Sequence, residues 1–381
     1  MPLQREKRKS DIWHNLPVEV MAEIFCKLPI KSIIRCTSVC KSWNSLIKNP
    51  NFIHTHLKKP KLQLILHRFP VASIGSIEQR YTLRFDDKKF TDYMPVLYPK
   101  TVGHYLHVAG SCNGVVSLHS RCLFVLWNPS IRKSFFVPQP NFVYFSSCCR
   151  SFIGLGFDDS TNDYKLLRFM SCPTFQFKAE LYSLNSNSWR DITDIVPTEF
   201  YIADYVVPAF VNGALHWPVT HWNEKEARTF VMVFDLKDEV FHEIMLPECL
   251  VNLDSAYIFL KAFEESTIAV IDDKNSDIWV MKDYGAAGSW VKLPELGNVG
   301  PTLGNVGRQR SLVLGFRNNR RVMGFRNDGE VLLELYDGQI VSHDPHSLQT
   351  SNLMKVQGGG SFVYRYVESL ALLDKGHNQR I

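Results

Sequence analysis

The sequence predicts an α+β multidomain chain in which a small three-helix module precedes an all-β, divergent β-propeller-like domain. Apolar residues recur at helical spacing up to about residue 56, and beyond residue 60 they alternate in short runs bounded by Asn, Asp, Gly and Pro. Residues 1–60 hold 11 Lys and Arg against 4 Asp and Glu, whereas the rest of the chain is close to neutral. We expect a basic tail over residues 1–10, the helical module over 11–58, the β domain over 60–375 and a tail over 376–381.

The three helices are predicted from caps, breaks and apolar stripes. Asn15 and Pro17 suit the start of a first helix, and Pro29 ends it. A second helix is expected over residues 31–36, and a third ends at Asn49-Pro50. The apolar stripe of the first helix contains Val20, Met21, Ile24, Phe25 and Leu28, and that of the third contains Val39, Trp43, Leu46 and Ile47.

These stripes predict an apolar face that the module does not cover by itself. Three helices within about 40 residues are too few to bury two wide stripes against one another. The remaining face is covered either by the C-terminal domain or by a partner protein, and both interpretations stay open. The excess of basic residues favours an acidic partner.

The same segment contains a set of short motifs, namely Leu16-Pro17-Val18-Glu19-Val20, Ile24-Phe25, Lys27-Leu28-Pro29, Arg35-Cys36, Val39-Cys40-Lys41 and Ser42-Trp43. At this spacing they resemble the F-box, over about residues 11–56. The resemblance implies binding of a small acidic Skp-type adaptor, which connects F-box proteins to a cullin–RING ubiquitin ligase. The adaptor contacts that it implies are Leu16, Pro17, Val20, Ile24, Leu28, Pro29, Val39, Cys40 and Trp43. Trp43 and Leu46 also fit a purely structural role between the helices.

The β domain shows a weak internal repeat of hairpins. Each unit is an apolar strand, a polar turn and an apolar or aromatic return strand, and the turns begin near Asn128, Asn185, Asp235, Lys282 and Asp337. Their separations of 57, 50, 47 and 55 residues approach the roughly 40–50 residues of a propeller blade. Five units and further strands between residues 60 and 110 predict six or seven blades. The Gly-Gly dipeptide of a regular kelch blade occurs only within residues 358–360, so a divergent propeller is expected.

Further motifs resemble the F-box-associated domain of a large plant F-box family, across residues 105–373. They include Ser111-Cys112-Asn113-Gly114, Trp127-Asn128-Pro129-Ser130, Gly154-Leu155-Gly156-Phe157-Asp158, Asn212-Gly213-Ala214-Leu215-His216-Trp217 and Tyr366-Val367-Glu368-Ser369-Leu370. The resemblance implies that this domain recognises a target protein. We expect Trp189, Trp217 and Trp290 to be wedges between sheets, and Asn212-Gly213 to form a turn with positive φ.

A run of arginines is the candidate for target contact within this domain. Residues 297–327 contain six arginines and no acidic residue. Because guanidinium groups match carboxylate and phosphate, an acidic or phosphorylated target segment is one interpretation, and a solvated loop and hairpin face is the other. The candidate substrate-binding residues are Arg308, Arg310, Arg317, Arg320 and Arg321.

Catalytic and metal sites are not expected. Residues 110–114 have the outline of a nucleophile elbow centred on Cys112, but the residues that follow alternate as a strand and not as the required helix. The pairs His54/His56, His104/His107 and His343/His346 lack a third ligand and are expected on the surface. Nine scattered cysteines without a C-x-x-C motif are expected to be reduced.

The sequence therefore predicts a non-catalytic target receptor of a Skp–cullin–F-box ubiquitin ligase, without a cofactor. A near-neutral β domain disfavours nucleic acid, and no apolar run approaches the roughly 20 residues of a membrane span. With no apolar leader at the start, a cytoplasmic or nuclear location is expected. The alternative is a stand-alone propeller scaffold that binds protein or glycan and whose helices dock on its own sheets.

Overall fold

The computed structural model describes residues 16–59, 62–73, 76–97, 99, 106–120, 123–142, 150–172, 175–197, 200–203, 206–222, 226–264, 266–275, 277–296, 320–357 and 360–376. Its described residues form four α-helices at the N-terminal end and then 25 β-strands. The predicted tail over residues 1–10, Asn15, His104, and Arg308, Arg310 and Arg317 lie outside the described residues, as do residues 377–381 of the predicted C-terminal tail.

The helices are α1 (Val18–Cys26), α2 (Ile30–Cys36), α3 (Lys41–Ile47) and α4 (Pro50–Leu57). Pro17 and Pro29 occupy the N-cap positions of α1 and α2, where the missing amide hydrogen costs nothing. The prediction of three helices is one short, because Asn49-Pro50 both ends α3 and begins α4. The Asn49 side chain accepts a hydrogen bond from the Asn51 amide at 2.8 Å, which caps α4.

The strands of the first three blades follow in chain order. They are β1 (Gln63–Ser73), β2 (Ser76–Phe85), β3 (Asp92–Val96), β4 (His107–Cys112), β5 (Val115–His119), β6 (Phe124–Asn128), β7 (Lys133–Phe136), β8 (Arg150–Asp158), β9 (Asp163–Cys172), β10 (Phe175–Ser183) and β11 (Ser188–Asp191). All neighbouring strands pair antiparallel. Blade 1 holds β1–β3, blade 2 holds β4–β7 and blade 3 holds β8–β11.

The remaining strands complete blades 4, 5 and 6. They are β12 (Phe200–Tyr201), β13 (Ala209–Val211), β14 (Ala214–Trp222), β15 (Ala227–Asp235), β16 (Phe241–Ile244), β17 (Ile258–Phe263), β18 (Thr267–Asp272), β19 (Asp277–Met281), β20 (Trp290–Lys292), β21 (Arg320–Phe325), β22 (Val331–Leu335), β23 (Gln339–His343), β24 (Thr350–Lys355) and β25 (Phe362–Val367). Single 3-10 turns lie at Thr193–Ile195, Ser255–Tyr257 and Ala287–Ser289. In blade 4 both β12 and β13 pair with β14.

The last strand closes the ring. β25 pairs with β1, with Leu64 opposite Tyr366, so blade 1 combines the end of the chain with the first strands of the domain. The described residues thus form a six-bladed propeller, which confirms the predicted fold class and fixes the blade number at six.

The predicted repeat is correct for four units and out of phase for the fifth. The turns near Asn128, Asn185, Asp235 and Lys282 join the third and fourth strands of blades 2 to 5. The turn at Asp337 instead joins β22 and β23, which are the second and third strands of blade 6. The corresponding outer hairpin of blade 6 has its turn in residues 344–349, between β23 and β24.

The apolar core lies between neighbouring blades, in six clusters around the ring. Trp217 of blade 4 is fully buried and its ring meets Phe169 of blade 3 edge-on, with centroids 5.3 Å apart. Trp189 of blade 3 meets Phe124 of blade 2 in the same way at 5.7 Å. Both tryptophans are confirmed as wedges, and Trp290 packs half-buried between blades 4 and 5.

Candidate functional site

One face of the helical module is buried and binds the helices to the propeller. Phe25, Ile30, Ile33, Ile47 and Phe52 form a buried cluster with Leu370, which follows the closing strand β25, while Ile131 and Leu373 of the propeller pack at its edge. Each large apolar side chain removed from water contributes about 1.5–3 kcal/mol. The module is therefore packed against the propeller through a true apolar core.

Polar contacts at α4 complete this attachment. His54 Nδ1 lies 2.6 Å from Asn162 Oδ1, in the turn between β8 and β9. The Lys58 ammonium lies 3.5 Å from the Asp159 carboxylate in the same turn, although both groups are largely exposed. The back of the module thus faces blades 2 and 3 and the segment after β25.

The opposite face of the module is open. Val18, Val20 and Val39 expose 48%, 41% and 62% of their surface, respectively. The propeller does not cover these three valine side chains. Of the nine predicted adaptor contacts, none is buried: Pro17, Val20, Pro29 and Val39 are exposed, and Leu16, Ile24, Leu28, Cys40 and Trp43 are half-buried.

Trp43 lies between the buried face and the open face of the module. Its ring meets the buried Phe25 edge-on, with centroids 4.9 Å apart, so it supports the packing of α1 against α3. It nevertheless keeps part of its surface accessible, as does Leu28 at the edge of the same cluster. Val18 is exposed as well, although it is not among the nine predicted contacts.

The helical module carries an excess of positive charge. Residues 16–59 contain seven Lys and Arg and two Asp and Glu, and all nine side chains are exposed. Within the module, the Cys40 thiol lies 3.1 Å from the Ser42 hydroxyl. Hydrogen bonds from the Ser42 side chain and the Trp43 amide lower the pKa of that thiol. An acidic partner surface matches this field.

The catalytic alternative finds no support at Cys112. Asn113 and Gly114, with φ of 48° and 80°, form a tight turn between β4 and β5, so a strand and not a helix follows Cys112. Burial raises the pKa of the Cys112 thiol well above its usual value, which removes the reactive thiolate. The side chain packs in the core between blades 2 and 3.

The histidine pairs have structural positions. His56 and His343 are buried, so the prediction of surface histidines is wrong for these two. His343 Nδ1 lies 2.9 Å from the Thr350 hydroxyl, in a strand pair of blade 6. Within the described ranges, no cluster of three His, Cys, Asp or Glu side chains has the arrangement of a metal site.

The described arginines of the predicted target-binding set lie in β21. Arg321 donates to the fully buried Glu334 carboxylate at 2.6 Å, and Arg320 donates to the Leu296 carbonyl at 3.2 Å. Arg326, at the end of the same run, is buried and pairs with Asp86 of blade 1 at 2.9 Å. Sequence reasoning did not foresee these internal partners, because the partners are distant in sequence.

Asn128 is a second residue whose role sequence reasoning missed. Its side-chain amide is completely buried and donates to the carbonyls of Ser369 and Ala371 at 2.9 and 3.0 Å. Its carbonyl oxygen accepts from the Tyr366 hydroxyl at 3.0 Å. The asparagine predicted as turn chemistry thus fixes the segment that carries Leu370 under the helices.

Comparisons with known proteins agree with both parts of this architecture. A family model described as the F-box domain matches residues 13–55, and one described as the F-box associated beta propeller domain matches residues 75–372. Among the described helices, none combines the length and apolarity of a membrane span.

Three curated relatives from Arabidopsis thaliana illustrate the similarity. F-box/kelch-repeat protein At3g23880 is 28% identical over 304 residues, covering 74% of this chain and 79% of the relative. F-box protein CPR1 is 26% identical over 311 residues, covering 73% and 72%. F-box protein At3g07870 is 30% identical over 325 residues, covering 75% and 74%. This chain therefore belongs to the plant F-box proteins that carry an F-box-associated β-propeller domain.

Proposed function

We propose that this chain is the target-recognition subunit of a Skp–cullin–F-box ubiquitin ligase. Helices α1 to α3 bind a Skp-type adaptor, and the propeller binds a protein that is to be ubiquitinated and degraded. The observation that carries the proposal is the open apolar face around Val20 and Val39, which remains accessible although the opposite face of the same helices is packed on the propeller. The protein acts in the cytosol or nucleus and carries out no bond chemistry itself.

The number of predicted apolar contacts suits a stable complex. Burying about six apolar side chains contributes roughly 10–15 kcal/mol before costs. Association itself costs about 4–15 kcal/mol, so hydrophobic burial and charge together decide the affinity. Once bound, the chain raises the effective concentration of target lysines near the conjugating enzyme, which requires positioning and not chemistry.

Capture of a Skp-type adaptor by the full chain tests this proposal. Replacing Val20 and Val39 by Glu should weaken capture about 100-fold, because two apolar contacts worth roughly 3 kcal/mol in sum are lost. Replacing Leu16-Pro17 by alanines should also abolish capture while thermal unfolding of the propeller is unchanged. Val291→Glu is the matched control, since this valine is 45% exposed on β20 of blade 5.

Salt dependence adds a second readout. Binding should weaken as salt increases, because the helices attract an acidic adaptor through exposed charges. Full capture by the doubly substituted chain would remove the basis for ligase association. The alternative function, a stand-alone scaffold, makes a different prediction: the wild-type chain itself should not capture the adaptor.

We further propose that the target binds at the propeller face remote from the helices. Inner strands β4 and β8 end beside the segment after β25 and beside α4, respectively. Arg320 begins the inner strand β21, so it lies toward the face opposite the ends of β4 and β8. Because Arg321 is held by buried Glu334, the informative test is charge reversal at Arg308 and Arg310, which should lower recovery of the target by proximity labelling in cells with the proteasome blocked.

A further inference from the structure

A cavity of about 440 Å³ occupies the axis of the propeller. Its walls come from the inner strands β4, β13, β17, β21 and β25, with additional side chains from β1. The volume lies within the range of about 300–1,000 Å³ that is typical of small-molecule sites. Apolar side chains form much of the wall, including Ile65, Phe210, Leu260, Met323 and Val363.

Among the described side chains of the wall, positive charges outnumber negative ones. Lys261 and Arg365 are cations, and Glu264 is the single carboxylate among the described wall residues. The Arg365 guanidinium donates to the main-chain carbonyls of Glu264 and Arg326, which directly follow the strands β17 and β21. Lys261 is different, because its ammonium makes no hydrogen bond or ion pair with any residue in the described part of the chain.

Among the described residues, the Lys261 ammonium has no counter-charge. Buried and half-buried charges in proteins are normally paired, because desolvation without a partner costs free energy. Burial, together with the nearby Arg321 guanidinium, lowers the pKa of Lys261 to about 8. The group is still mainly protonated at neutral pH, and the restricted access of water strengthens its attraction for an anion.

We propose that the axial cavity binds a small organic monocarboxylate, whose carboxylate pairs with Lys261 and whose apolar body packs against Phe210 and Met323. Among the described wall residues, the Lys261 ammonium is the one cation without a partner, and a monoanion supplies one counter-charge. A phosphate monoester carries about −1.5 to −2 at neutral pH and would leave charge uncompensated. The ligand would contact five of the six inner strands, and its binding would stabilise the closed ring by mass action.

Titration of the full chain with 1-naphthoate, followed by the fluorescence of the ligand, tests the proposal. We expect saturable binding at one site and at least tenfold weaker binding of the neutral isostere 1-naphthamide. Lys261→Met should lower naphthoate affinity to the level of the amide, because methionine keeps the bulk of the side chain without its charge. Lys237→Met is the matched control, since Lys237 is exposed in the turn between β15 and β16, and it should leave affinity unchanged.

The pH profile of the wild-type chain gives an independent readout. Naphthoate affinity should fall as pH rises and the ammonium is lost, whereas binding of the amide should stay constant. Equal affinity for acid and amide, unchanged affinity in Lys261→Met, or no saturable binding of naphthoate at millimolar concentration would each overturn the proposal. If Lys261→Met does not fold, the acid and amide comparison and the pH profile decide the question on the wild-type chain.

Discussion

Replacement of Asn128 by alanine should strongly destabilise the propeller, although the residue is only the last of a short strand. Its side chain is wholly buried and ties blade 2 to the segment that follows the closing strand β25. The amide nitrogen donates to the main-chain carbonyls of Ser369 and Ala371, at 2.9 and 3.0 Å. The amide oxygen accepts from the Tyr366 hydroxyl at 3.0 Å and from the Ser130 amide at 3.1 Å.

The magnitude follows from the partners that alanine leaves behind. Tyr366 keeps a partner, because its hydroxyl also lies 2.8 Å from the Ser130 hydroxyl. The carbonyls of Ser369 and Ala371 have no other partner among the described residues, and each buried unsatisfied group costs about 1–3 kcal/mol. The free energy of unfolding should therefore fall by about 2–6 kcal/mol, a large part of the roughly 5–15 kcal/mol of a typical domain.

Urea unfolding followed by circular dichroism measures this loss. Asn185→Ala is the matched control, because its amide donates to the carbonyls of Thr161 and Asn162 at an exposed turn, and it should cost less than about 1 kcal/mol. Amide hydrogen exchange should also accelerate in residues 366–373 of the Asn128→Ala chain. If the Asn128→Ala chain were as stable as the control, the argument that this amide fixes the segment after β25 would be refuted.

Two further predictions concern backbone crowding and pH. In Gly114→Ala, the new Cβ would lie 2.2 Å from the Ser369 hydroxyl at a φ of +80°, whereas in Gly213→Ala the φ is +75° and nothing lies within 4 Å. The positive φ costs both variants about 1–2 kcal/mol, and Gly114→Ala also suffers the contact with Ser369. Gly114→Ala should therefore have the lower thermal midpoint, and equal midpoints would contradict the crowding. Burial lowers the pKa of His67 to about 3, below its unfolded value, so the unfolded chain binds the extra proton and stability should fall as pH drops below about 6.5. Between pH 7 and pH 5, His67 should lower the free energy of unfolding by about 2 kcal/mol. Urea unfolding of His67→Leu at the two pH values should show this loss abolished. An unchanged pH dependence in the variant would assign the loss to other groups.

Much of the fold could be predicted because apolar spacing reports the class of each segment. The prediction of Trp189 and Trp217 as wedges is confirmed, since large aromatic rings between alternating strands have few other stable positions. The position of each hairpin within its blade is harder to predict. The prediction for the unit at Asp337 is wrong, because its turn joins the second and third strands of blade 6 and not the third and fourth. Every antiparallel hairpin of a blade alternates with period two, so the pattern identifies hairpins but does not number them within a blade.

The open face could be predicted only in part. Val20 and Ile24 occupy one row along α1, and Met21 and Phe25 occupy the adjacent row, about 100° further round the helix. Both rows are apolar, so the sequence alone does not say which row is buried by the propeller and which awaits a partner. The structure separates them: Phe25 is buried in the cluster with Leu370, and Val20 is exposed.

The segment after β25 connects closure of the ring to the position of the helices. Ser369 is held by Asn128 on one side and lies against Gly114 on the other, while the next residue, Leu370, enters the apolar cluster beneath Phe25. A receptor that works by effective concentration loses that advantage when its two binding surfaces are joined by a long flexible linker. Here the residues that lock blade 1 to blade 2 also support the helices, so the proposed adaptor face and the remote target face keep a fixed separation as long as the ring is closed.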